Sequence, residues 1–442
     1  KQSARTSADV AAALSQIRPQ TTKEYFHAIG AFAKVRDWRG ALALLDEMHE
    51  RRVQPDMYCY SAALTALDKA RQPKRALALF DEMRRDGVAA NVFTFTATIS
   101  ACAKGDAREA RRGLALLDEM KAAGVEPNAV TYNAAIAACG DNWETALRLI
   151  DEMETHRLRP TRVSYSSAIT ACARGKQGGV AVELFERMEG AAIEPDVQTY
   201  NALLHALTHA AGWRRALDVP SEMRRRGLKP NVVTYSTLVT VYGAHRQWER
   251  ALGVLPQMEE AGVVPDVITY NCCIAACEQA GEWRRADGLL QEMGRRNLKP
   301  NVVTYSSMLS ACAHGRQWKR ALELLDEMHA RGVAPNAISY SAAITAMEKG
   351  GQWQKALALL EAMLADGIAA EPIPFNAAIS ACEKGGAWEE ALRLLEQMES
   401  THGLAPSAIS LNAAMAACSA GGQHARALHL LQRMEDGRGP EP

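Results

Sequence analysis

Small polar side chains recur along this chain at intervals of about 35 residues, nearly always directly after Tyr or Phe. Hydroxyl and carboxamide groups donate and accept hydrogen bonds, so the chemistry they offer is recognition of a polar partner. Each one falls in the first turns of a predicted helix, where Ala or Leu would favour the helix more. Their presence there predicts a row of recognition positions. They are Ser61, Thr96, Asn133, Ser166, Asn201, Ser236, Asn271, Ser306, Ser341, Asn376 and Asn412.

A second polar set stands directly before the same predicted helices. It comprises Asp56, Asn91, Asn128, Thr161, Asp196, Asn231, Asp266, Asn301, Asn336, Glu371 and Ser407. Most of these residue types accept hydrogen bonds from the unpaired N–H groups of a helix's first turn, so helix capping explains this set well. Capping explains an Asn or Ser inside the helix poorly. Two interpretations therefore stay open: capping alone, or pairs of side chains that recognise one ligand together.

Residue types that often mark binding or catalytic sites follow the same period. The eight Trp are predicted to open a second helix and to serve packing: Trp38, Trp143, Trp213, Trp248, Trp283, Trp318, Trp353 and Trp388. Seven of the ten Cys share one position about 35 residues apart, without the spacing of a zinc site. The sequence has no phosphate-loop, His-Glu-x-x-His or Gly-x-Ser-x-Gly motif. We therefore expect no catalytic residue, no metal site and no cofactor.

One repeating unit accounts for this spacing. Pro-Asn-Val-Val-Thr-Tyr begins at Pro230 and at Pro300, and Pro-Asp-Val-Ile-Thr-Tyr begins midway between them at Pro265. Counted from two residues after that Pro, twelve units cover residues 22–442, and residues 1–21 form a separate segment. Repeats 1 to 12 start at Thr22, Met57, Val92, Ala129, Arg162, Val197, Val232, Val267, Val302, Ala337, Pro372 and Ala408.

Each repeat contains two amphipathic helices. In repeat 9, apolar residues at helical spacing form one stripe of Trp318–Met328, and Gly332 then provides a helix stop. Nine repeats have 35 residues, and those at Val92, Ala129 and Pro372 have 37, 33 and 36. The sequence therefore predicts an all-α fold, a right-handed α-solenoid superhelix of about twelve 35-residue helix-turn-helix repeats.

Composition narrows the class of protein further. Apolar residues make up 48% of the chain, and 51 Lys and Arg balance 51 Asp and Glu, which excludes a disordered chain. No apolar run approaches the roughly 20 residues that a membrane-spanning helix needs. Zero net charge argues against a nucleic-acid binder only if the charges are evenly spread. First helices, however, contain few acids and carry cations near their ends, namely Lys34, Lys69, Lys104, Arg174, Lys349 and Lys384.

The 35-residue period, the opening Val-Thr-Tyr followed by Asn or Ser, and the closing Pro-Asp or Pro-Asn resemble the pentatricopeptide repeat family. The nearly uniform repeat length is similar to that of its P-type subclass. The resemblance covers residues 22–442 and implies a protein that binds single-stranded RNA, one base per repeat, in chloroplasts or mitochondria. It implies a role in RNA stabilisation, processing or translation, without catalysis.

In that family, Ser or Thr as the fifth residue of a repeat goes with purines and Asn with pyrimidines. The end residue of the repeat supplies the second criterion: Asp only accepts and suits uracil or guanine, whereas Asn also donates and suits cytosine or adenine. Ten pairs predict the core 5′-AAYGCGCARC-3′, and Phe26 and the Asn412–Pro442 pair receive no base. From 5′ to 3′ the pairs are Ser61 with Asn91, Thr96 with Asn128, Asn133 with Thr161, Ser166 with Asp196, Asn201 with Asn231, Ser236 with Asp266, Asn271 with Asn301, Ser306 with Asn336, Ser341 with Glu371 and Asn376 with Ser407.

The second residue of most repeats is bulky and apolar. These residues are Phe93, Val130, Val163, Val233, Ile268, Val303, Ile338, Ile373 and Ile409, with Tyr58 as an aromatic variant. The resemblance implies that they sandwich each base between neighbouring repeats, a contact that any base can make. Packing within the helical hairpin is the alternative. The resemblance also implies that the cations of the first helices face the RNA phosphates.

Two other functions stay open. The first is a structural subunit of an organellar ribonucleoprotein such as a ribosome, and the second is a protein-binding helical-repeat adaptor. We interpret residues 1–21, rich in Arg, Ser, Thr and Ala, as the remnant of a transit peptide followed by a capping helix at Ala8–Ile17. The expected location, chloroplast or mitochondrion, follows from the family resemblance, and membrane insertion is not expected.

Overall fold

The computed structural model describes Val10 and residues 19–436. This part of the chain forms twenty-four helices and no strand, which confirms the predicted all-α fold. None of these helices combines the length and the hydropathy that a membrane crossing requires. The chain folds as two compact units, Lys1–Lys229 and Pro230–Pro442. The capping helix predicted at Ala8–Ile17 lies outside the described residues, Val10 excepted.

Each repeat contributes a hairpin of a first helix, given an odd number, and a second helix, given an even number. In Lys1–Lys229 the helices are α1 (Thr22–Lys34), α2 (Trp38–Glu50), α3 (Met57–Lys69), α4 (Pro73–Arg85), α5 (Val92–Cys102), α6 (Ala107–Ala122), α7 (Ala129–Ala138), α8 (Trp143–Thr155), α9 (Arg162–Arg174), α10 (Gly178–Gly190), α11 (Val197–Leu207) and α12 (Arg215–Arg225). In Pro230–Pro442 they are α13 (Val232–Ala244), α14 (Trp248–Glu260), α15 (Val267–Ala280), α16 (Trp283–Arg295), α17 (Val302–His314), α18 (Trp318–Ala330), α19 (Ala337–Lys349), α20 (Trp353–Ala365), α21 (Pro372–Lys384), α22 (Trp388–Ser400), α23 (Ala408–Ala420) and α24 (His424–Asp436). Every first helix begins at the residue where its repeat starts.

Each unit has two layers of helices. Within a unit, first helices of neighbouring repeats pack side by side, and each second helix except the last packs between the first helix of its own repeat and that of the next. The aromatic fourth residue of the first helix and the Met near the end of the second helix fill the space between the layers. Tyr270, Tyr305, Met293 and Met328 are fully buried examples. One layer in each unit therefore consists of first helices alone.

Local sequence sets the ends of the helices. Asn301 caps α17 because its Oδ1 accepts the Thr304 backbone N–H at 3.1 Å. The second helix α18 ends where Gly332 adopts a left-handed conformation with φ 69°, which costs glycine little. The following N–H of Val333 then donates to the Met328 carbonyl at 2.9 Å and satisfies the last turn. The period of the sequence is thus a period of helix starts and stops.

Seven of the eight Trp open a second helix as predicted, and Trp213 does not. The helix α12 begins two residues later, at Arg215. The backbone N–H groups of Arg215 and Ala216 donate to carbonyls three residues earlier, at Gly212 and Trp213, with distances of 3.0 and 2.9 Å. Such bonds form a tighter turn than an α-helix, so the α-helical pattern starts only after them.

The Trp that opens a second helix packs against a glycine in the next repeat. A Cβ built on Gly385 would lie 2.1 Å from Cδ1 of Trp353, and one on Gly350 would lie 2.5 Å from Cδ1 of Trp318. Gly385 has φ −88°, a value that any residue adopts, so space and not backbone conformation requires the glycine. The structure thus supports the interpretation of these Trp as packing residues.

We expect Gly385→Ala to lower the free energy of unfolding by about 1–3 kcal/mol, because the added methyl overlaps Trp353 in a packed contact. Gly288→Ala is the matched control, since Gly288 lies inside α16 and a methyl group added there would meet open space, with no neighbouring atom within 4 Å. That change should stabilise the chain by up to about 1 kcal/mol through helix propensity. Urea unfolding of both variants measures the difference, and equal midpoints would contradict the proposed steric contact.

Candidate nucleic-acid interface

In ten of the twelve first helices the second residue is a bulky apolar side chain that is exposed to solvent. These residues are Tyr58, Phe93, Val130, Val163, Val233, Ile268, Val303, Ile338, Ile373 and Ile409, and between 55% and 71% of each is exposed. Large apolar side chains that recur along one surface more often belong to a binding face than are exposed by chance. Packing within the hairpin, the alternative explanation, does not account for side chains exposed to this degree.

The end residues of the repeats cap the next first helix. The Oδ1 atoms of Asp266 and Asn301 accept the backbone N–H groups of Thr269 and Thr304 at 2.8 and 3.1 Å. The same bond is made by Asp56, Asn91, Asn128, Asp196, Asn231, Asn336 and Ser407. A capping Asp keeps its second oxygen as an acceptor and a capping Asn keeps its NH₂ as a donor. Capping therefore orients the atom that distinguishes Asp from Asn, so capping and recognition are compatible here.

One of these carboxyl groups has a shifted pKa. Partial burial of Asp196 raises its pKa, but hydrogen bonds from the Thr199 backbone N–H and hydroxyl, each 2.9 Å long, act in the opposite direction. The pKa of Asp196 lies below its usual value as a result. This end residue is therefore ionised at neutral pH and can only accept a hydrogen bond.

The fifth residue of a repeat hydrogen-bonds to the third residue of the next repeat. The Oγ atoms of Ser236 and Thr269 are 2.9 Å apart, and the Thr304 hydroxyl donates to Asn271 Oδ1 at 2.6 Å. The same contact joins Thr96 with Thr131, Asn133 with Ser164, Ser166 with Thr199, and Ser306 with Ser339. Each contact links residues more than thirty positions apart, so it exists only once the repeats are stacked.

The third residue also bonds to the end residue. Thr304 Oγ1 lies 3.1 Å from Asn301 Oδ1 and accepts the Asn301 backbone N–H at 3.1 Å. Since the same hydroxyl donates to Asn271, it bridges the two predicted base-reading residues of repeat 8. The Asn271 NH₂ is in turn 3.3 Å from Asn301 Oδ1. The two side chains are thus neighbours with fixed orientations.

The hydroxyls at this third position are functional candidates that the sequence pattern did not single out. They belong to Thr94, Thr131, Ser164, Thr199, Thr234, Thr269, Thr304, Ser339 and Ser410, all fully buried. Nine of the twelve repeats carry Thr or Ser at this position. A hydroxyl that recurs three residues after the capping position is a signal by which the sequence alone could have identified these residues.

Repeat 10 departs from this arrangement. The Ser341 hydroxyl donates to the Ala337 carbonyl of its own helix at 2.6 Å, because the third residue of the next repeat is Pro374 and has no hydroxyl. The end residue of this repeat, Glu371, makes no capping bond. The repeat that the sequence assigns only to a purine is therefore also irregular in structure.

In repeats 2 to 5 the predicted residues line one groove. Phe93, Val130 and Val163 supply its apolar side chains, and the groove has a volume of about 620 Å³. Predicted base-reading residues lie between them: Ser61, Thr96, Asn128 and Asn133. The structure thus brings apolar and hydrogen-bonding residues of four successive repeats to one surface, where a planar ring could contact an apolar side chain and a polar one together.

The predicted phosphate-binding cations lie at or just past the C-terminal ends of the first helices. Two of them form ion pairs with the preceding repeat: Lys104 Nζ is 2.8 Å from Asp68, and Lys384 Nζ is 2.8 Å from Glu348. Lys69 donates to the Ala33 carbonyl at 3.4 Å. Lys34, Arg174 and Lys349 form no ion pair with a described residue. Pairing with Asp68 and Glu348 was not expected from the sequence.

One group of side chains has the composition of a metal site. Among the described residues, His49, Glu82 and Asp86 bring potential ligand atoms within 4.8 Å of one another. His49 Nε2 lies 3.0 Å from Asp86 Oδ2, and this hydrogen bond raises the pKa of His49. The contact links second helices of neighbouring repeats, as do Arg84–Glu119 and Arg296–Glu259 elsewhere in the chain. An ion pair between repeats accounts for the group.

Family models match most of the chain in successive segments. The model described as the pentacotripeptide-repeat region of PRORP matches residues 68–215, and the pentatricopeptide repeat domain matches 17–70 and 218–279. The PPR repeat family matches 265–314, and the PPR repeat matches 303–333, 338–368 and 373–401. A comparison with curated proteins gives no match.

Solved structures share the architecture. The crystal structure of the pentatricopeptide repeat protein PPR10 from maize aligns with a TM-score of 0.52 and 22% identity, over 98% of this chain and 77% of that one. PPR10 in complex with an 18-nt psaJ RNA element aligns with a TM-score of 0.47 and 23% identity, over 98% and 78%. Yeast Rmd9p in complex with a 16-nt target RNA aligns with 0.39 and 11%, over 90% and 88%. The likeness to the maize protein is one of fold.

Proposed function

Because the chain belongs to the pentatricopeptide repeat family, we propose that it binds single-stranded RNA along its first helices, with one base per repeat. The observation that carries the proposal is the repeated pairing of an exposed apolar second residue with hydrogen-bonding fifth and end residues beside it. An apolar side chain contacts the face of any base, and the polar pair distinguishes the edges of bases.

The chemistry of each pair supports a base assignment. In repeat 8, the Asn301 carboxamide uses its oxygen for the cap and presents its NH₂, which suits a ring nitrogen that accepts, as in cytosine. In repeat 7, Asp266 uses one oxygen for the cap and presents the other, which suits a protonated ring nitrogen, as in guanine with Ser236. Extended over ten repeats, the pairs specify 5′-AAYGCGCARC-3′.

The mode of action we propose is occupancy of RNA in a chloroplast or mitochondrion. A protein bound along a single strand blocks exonucleases, keeps a translation start unpaired or guides a second factor, and each of these acts in RNA stabilisation, processing or translation. Catalysis is not part of the proposal, because burial raises the pKa of thiols such as Cys312 to about 12 and leaves them poor nucleophiles.

Binding of 5′-AAYGCGCARC-3′ and of a scrambled oligomer of the same composition tests this function. At a fixed salt concentration near 0.15 M, we expect the matched oligomer to bind at least about a hundredfold more tightly, since each mismatch costs about 1–3 kcal/mol. Fluorescence anisotropy with labelled RNA gives both Kd values. Equal binding of the two oligomers would contradict base recognition, and binding to neither would favour a structural or protein-binding role.

A further inference from the structure

A basic residue occupies a left-handed backbone position in five repeats. The position lies two residues before the second helix, in the turn that joins the two helices of a repeat. Nine repeats have a residue with positive φ at this place, and in four of them it is glycine: Gly281, Gly351, Gly386 and Gly422. In the other five it is Arg36, Arg71, Lys176, Arg246 or Arg316, with φ between 54° and 60°. Glycine adopts this conformation without strain, and a side chain with a Cβ does not.

Backbone tolerance does not explain the choice of residue. Non-glycine residues with positive φ are most often Asn, Asp or His, and none of these occurs at this turn. At the turn that follows the second helix, the left-handed residues other than glycine are Arg52, Arg157, Ala192 and Asn297, a mixed set. Lys and Arg make up 51 of the 442 residues of the chain, yet they account for all five of the non-glycine left-handed residues at this turn. This excess indicates selection for positive charge. A strained backbone conformation that is kept together with one kind of side chain indicates that the side chain has a function.

These five side chains are available to a partner. All are exposed, and none forms an ion pair or hydrogen bond through its side chain with a described residue. By contrast, Lys104 in repeat 3 and Lys384 in repeat 11 are paired with Asp68 and Glu348. In repeats 1, 2 and 5 the strained cation follows another cation by two residues, as with Lys34 and Arg36. In these three repeats the turn and the end of the first helix before it therefore carry positive charge that forms no ion pair with a described acid.

We propose that this row, Arg36, Arg71, Lys176, Arg246 and Arg316, binds the phosphates of the RNA strand whose bases contact the first helices. The proposal rests on the RNA binding proposed above. The turn lies about 15 Å along the first helix from the fifth residue, at a rise of 1.5 Å per residue. A nucleotide whose base contacts the fifth residue extends over part of this distance, and a long basic side chain at the turn extends over the rest, so that the side chain can reach the phosphate. Backbone contacts of this kind add affinity without base preference.

The test is a fivefold variant that carries R36G, R71G, K176G, R246G and R316G. We expect affinity for both the matched and the scrambled oligomer to fall roughly tenfold or more near 0.1 M salt, with their ratio unchanged. The magnitude of the slope of log K against log salt concentration should decrease by up to about 3.5, because each of the five lost phosphate contacts contributes about 0.7. The thermal unfolding temperature should not fall, because glycine relieves the strained backbone. The reverse substitutions Gly281→Arg and Gly351→Arg should tighten binding and lower that temperature.

A charge-matched control distinguishes the effect of removing these five cations from the effect of lowering the net positive charge of the chain. It removes five other exposed cations, three of them from second helices and two from the left-handed turn after them, through the substitutions R52G, R85Q, R157G, R225Q and R295Q. We expect this control to change the salt slope much less. A wild-type chain that binds neither oligomer overturns the proposed function and this inference with it. Wild-type binding with an unchanged salt slope in the fivefold variant, or an equal change in the control, overturns this inference alone.

Discussion

Replacing Asn301 by Asp should change the preferred base at the seventh position of the RNA from cytosine to uracil. The Asn301 oxygen that caps α17 is retained in Asp, so the side chain keeps its place. The atom beside it changes from an NH₂ donor to an oxygen acceptor, which suits the protonated ring nitrogen of uracil. The partner Asn271 is unchanged and continues to favour a pyrimidine. A correct pairing is worth about 1–3 kcal/mol, so the preference between the two bases should shift by roughly fivefold to 160-fold.

Four oligomers that differ only at the seventh base measure this effect. Asp and Asn are equally good N-caps, so the unfolding midpoint of N301D should equal that of the wild type. The reciprocal variant is Asp266→Asn in the preceding repeat, which should move the sixth base from guanine to adenine. Affinity that falls for all four oligomers alike, in both variants, would show that the end residues act only as helix caps.

The helices and their boundaries were predictable because their signals are local. A Pro and a capping residue precede most first helices, and a left-handed residue follows most second helices, all within a few residues of the boundary they set. Trp213 is the exception, because the turn before it shifts to bonds three residues apart and delays α12. Gly212 stands directly before Trp213, where the other Trp follow Asp, Asn, Gln, Glu or Ala, but this difference alone does not predict the tighter turn.

The geometry of the candidate site was less predictable because its contacts cross between repeats. The bond from Thr304 to Asn271 spans 33 residues and that from Lys104 to Asp68 spans 36, so neither follows from the pattern within one helix. Fifth and end residues could be identified because polar side chains there are unusual. The role of Thr304 was not predicted, because a Thr in the first turn of a helix is common. Only the stacked repeats show that Thr304 contacts both the fifth residue Asn271 and the end residue Asn301.

Replacing Thr304 by Val should both destabilise the protein and weaken base discrimination at the seventh position. Val has the shape of Thr without the hydroxyl, so packing at this fully buried site is preserved. The change leaves Asn271 Oδ1 without its 2.6 Å donor and the Asn301 backbone N–H without its acceptor. Each buried polar group left unsatisfied costs about 1–3 kcal/mol, so the free energy of unfolding should fall by at least about 1 kcal/mol. Asn271 then has no fixed orientation, and its preference for pyrimidines over purines should decline.

The decisive measurement is the ratio of affinities for cytosine and adenine at the seventh base, taken at a temperature where every variant is folded. A purely structural role predicts lower stability with that ratio unchanged, whereas a positioning role predicts a ratio reduced roughly tenfold, which corresponds to about 1.4 kcal/mol. Discrimination at the fourth base should stay as it is, because Ser166 and Asp196 are bridged by their own Thr199. Thr304→Ser should restore both stability and the ratio, since Ser339 makes the equivalent bridge to Ser306 in the native chain. A serine variant that recovers stability but not the ratio would also count against positioning, because the hydroxyl would then be present without its proposed effect on Asn271.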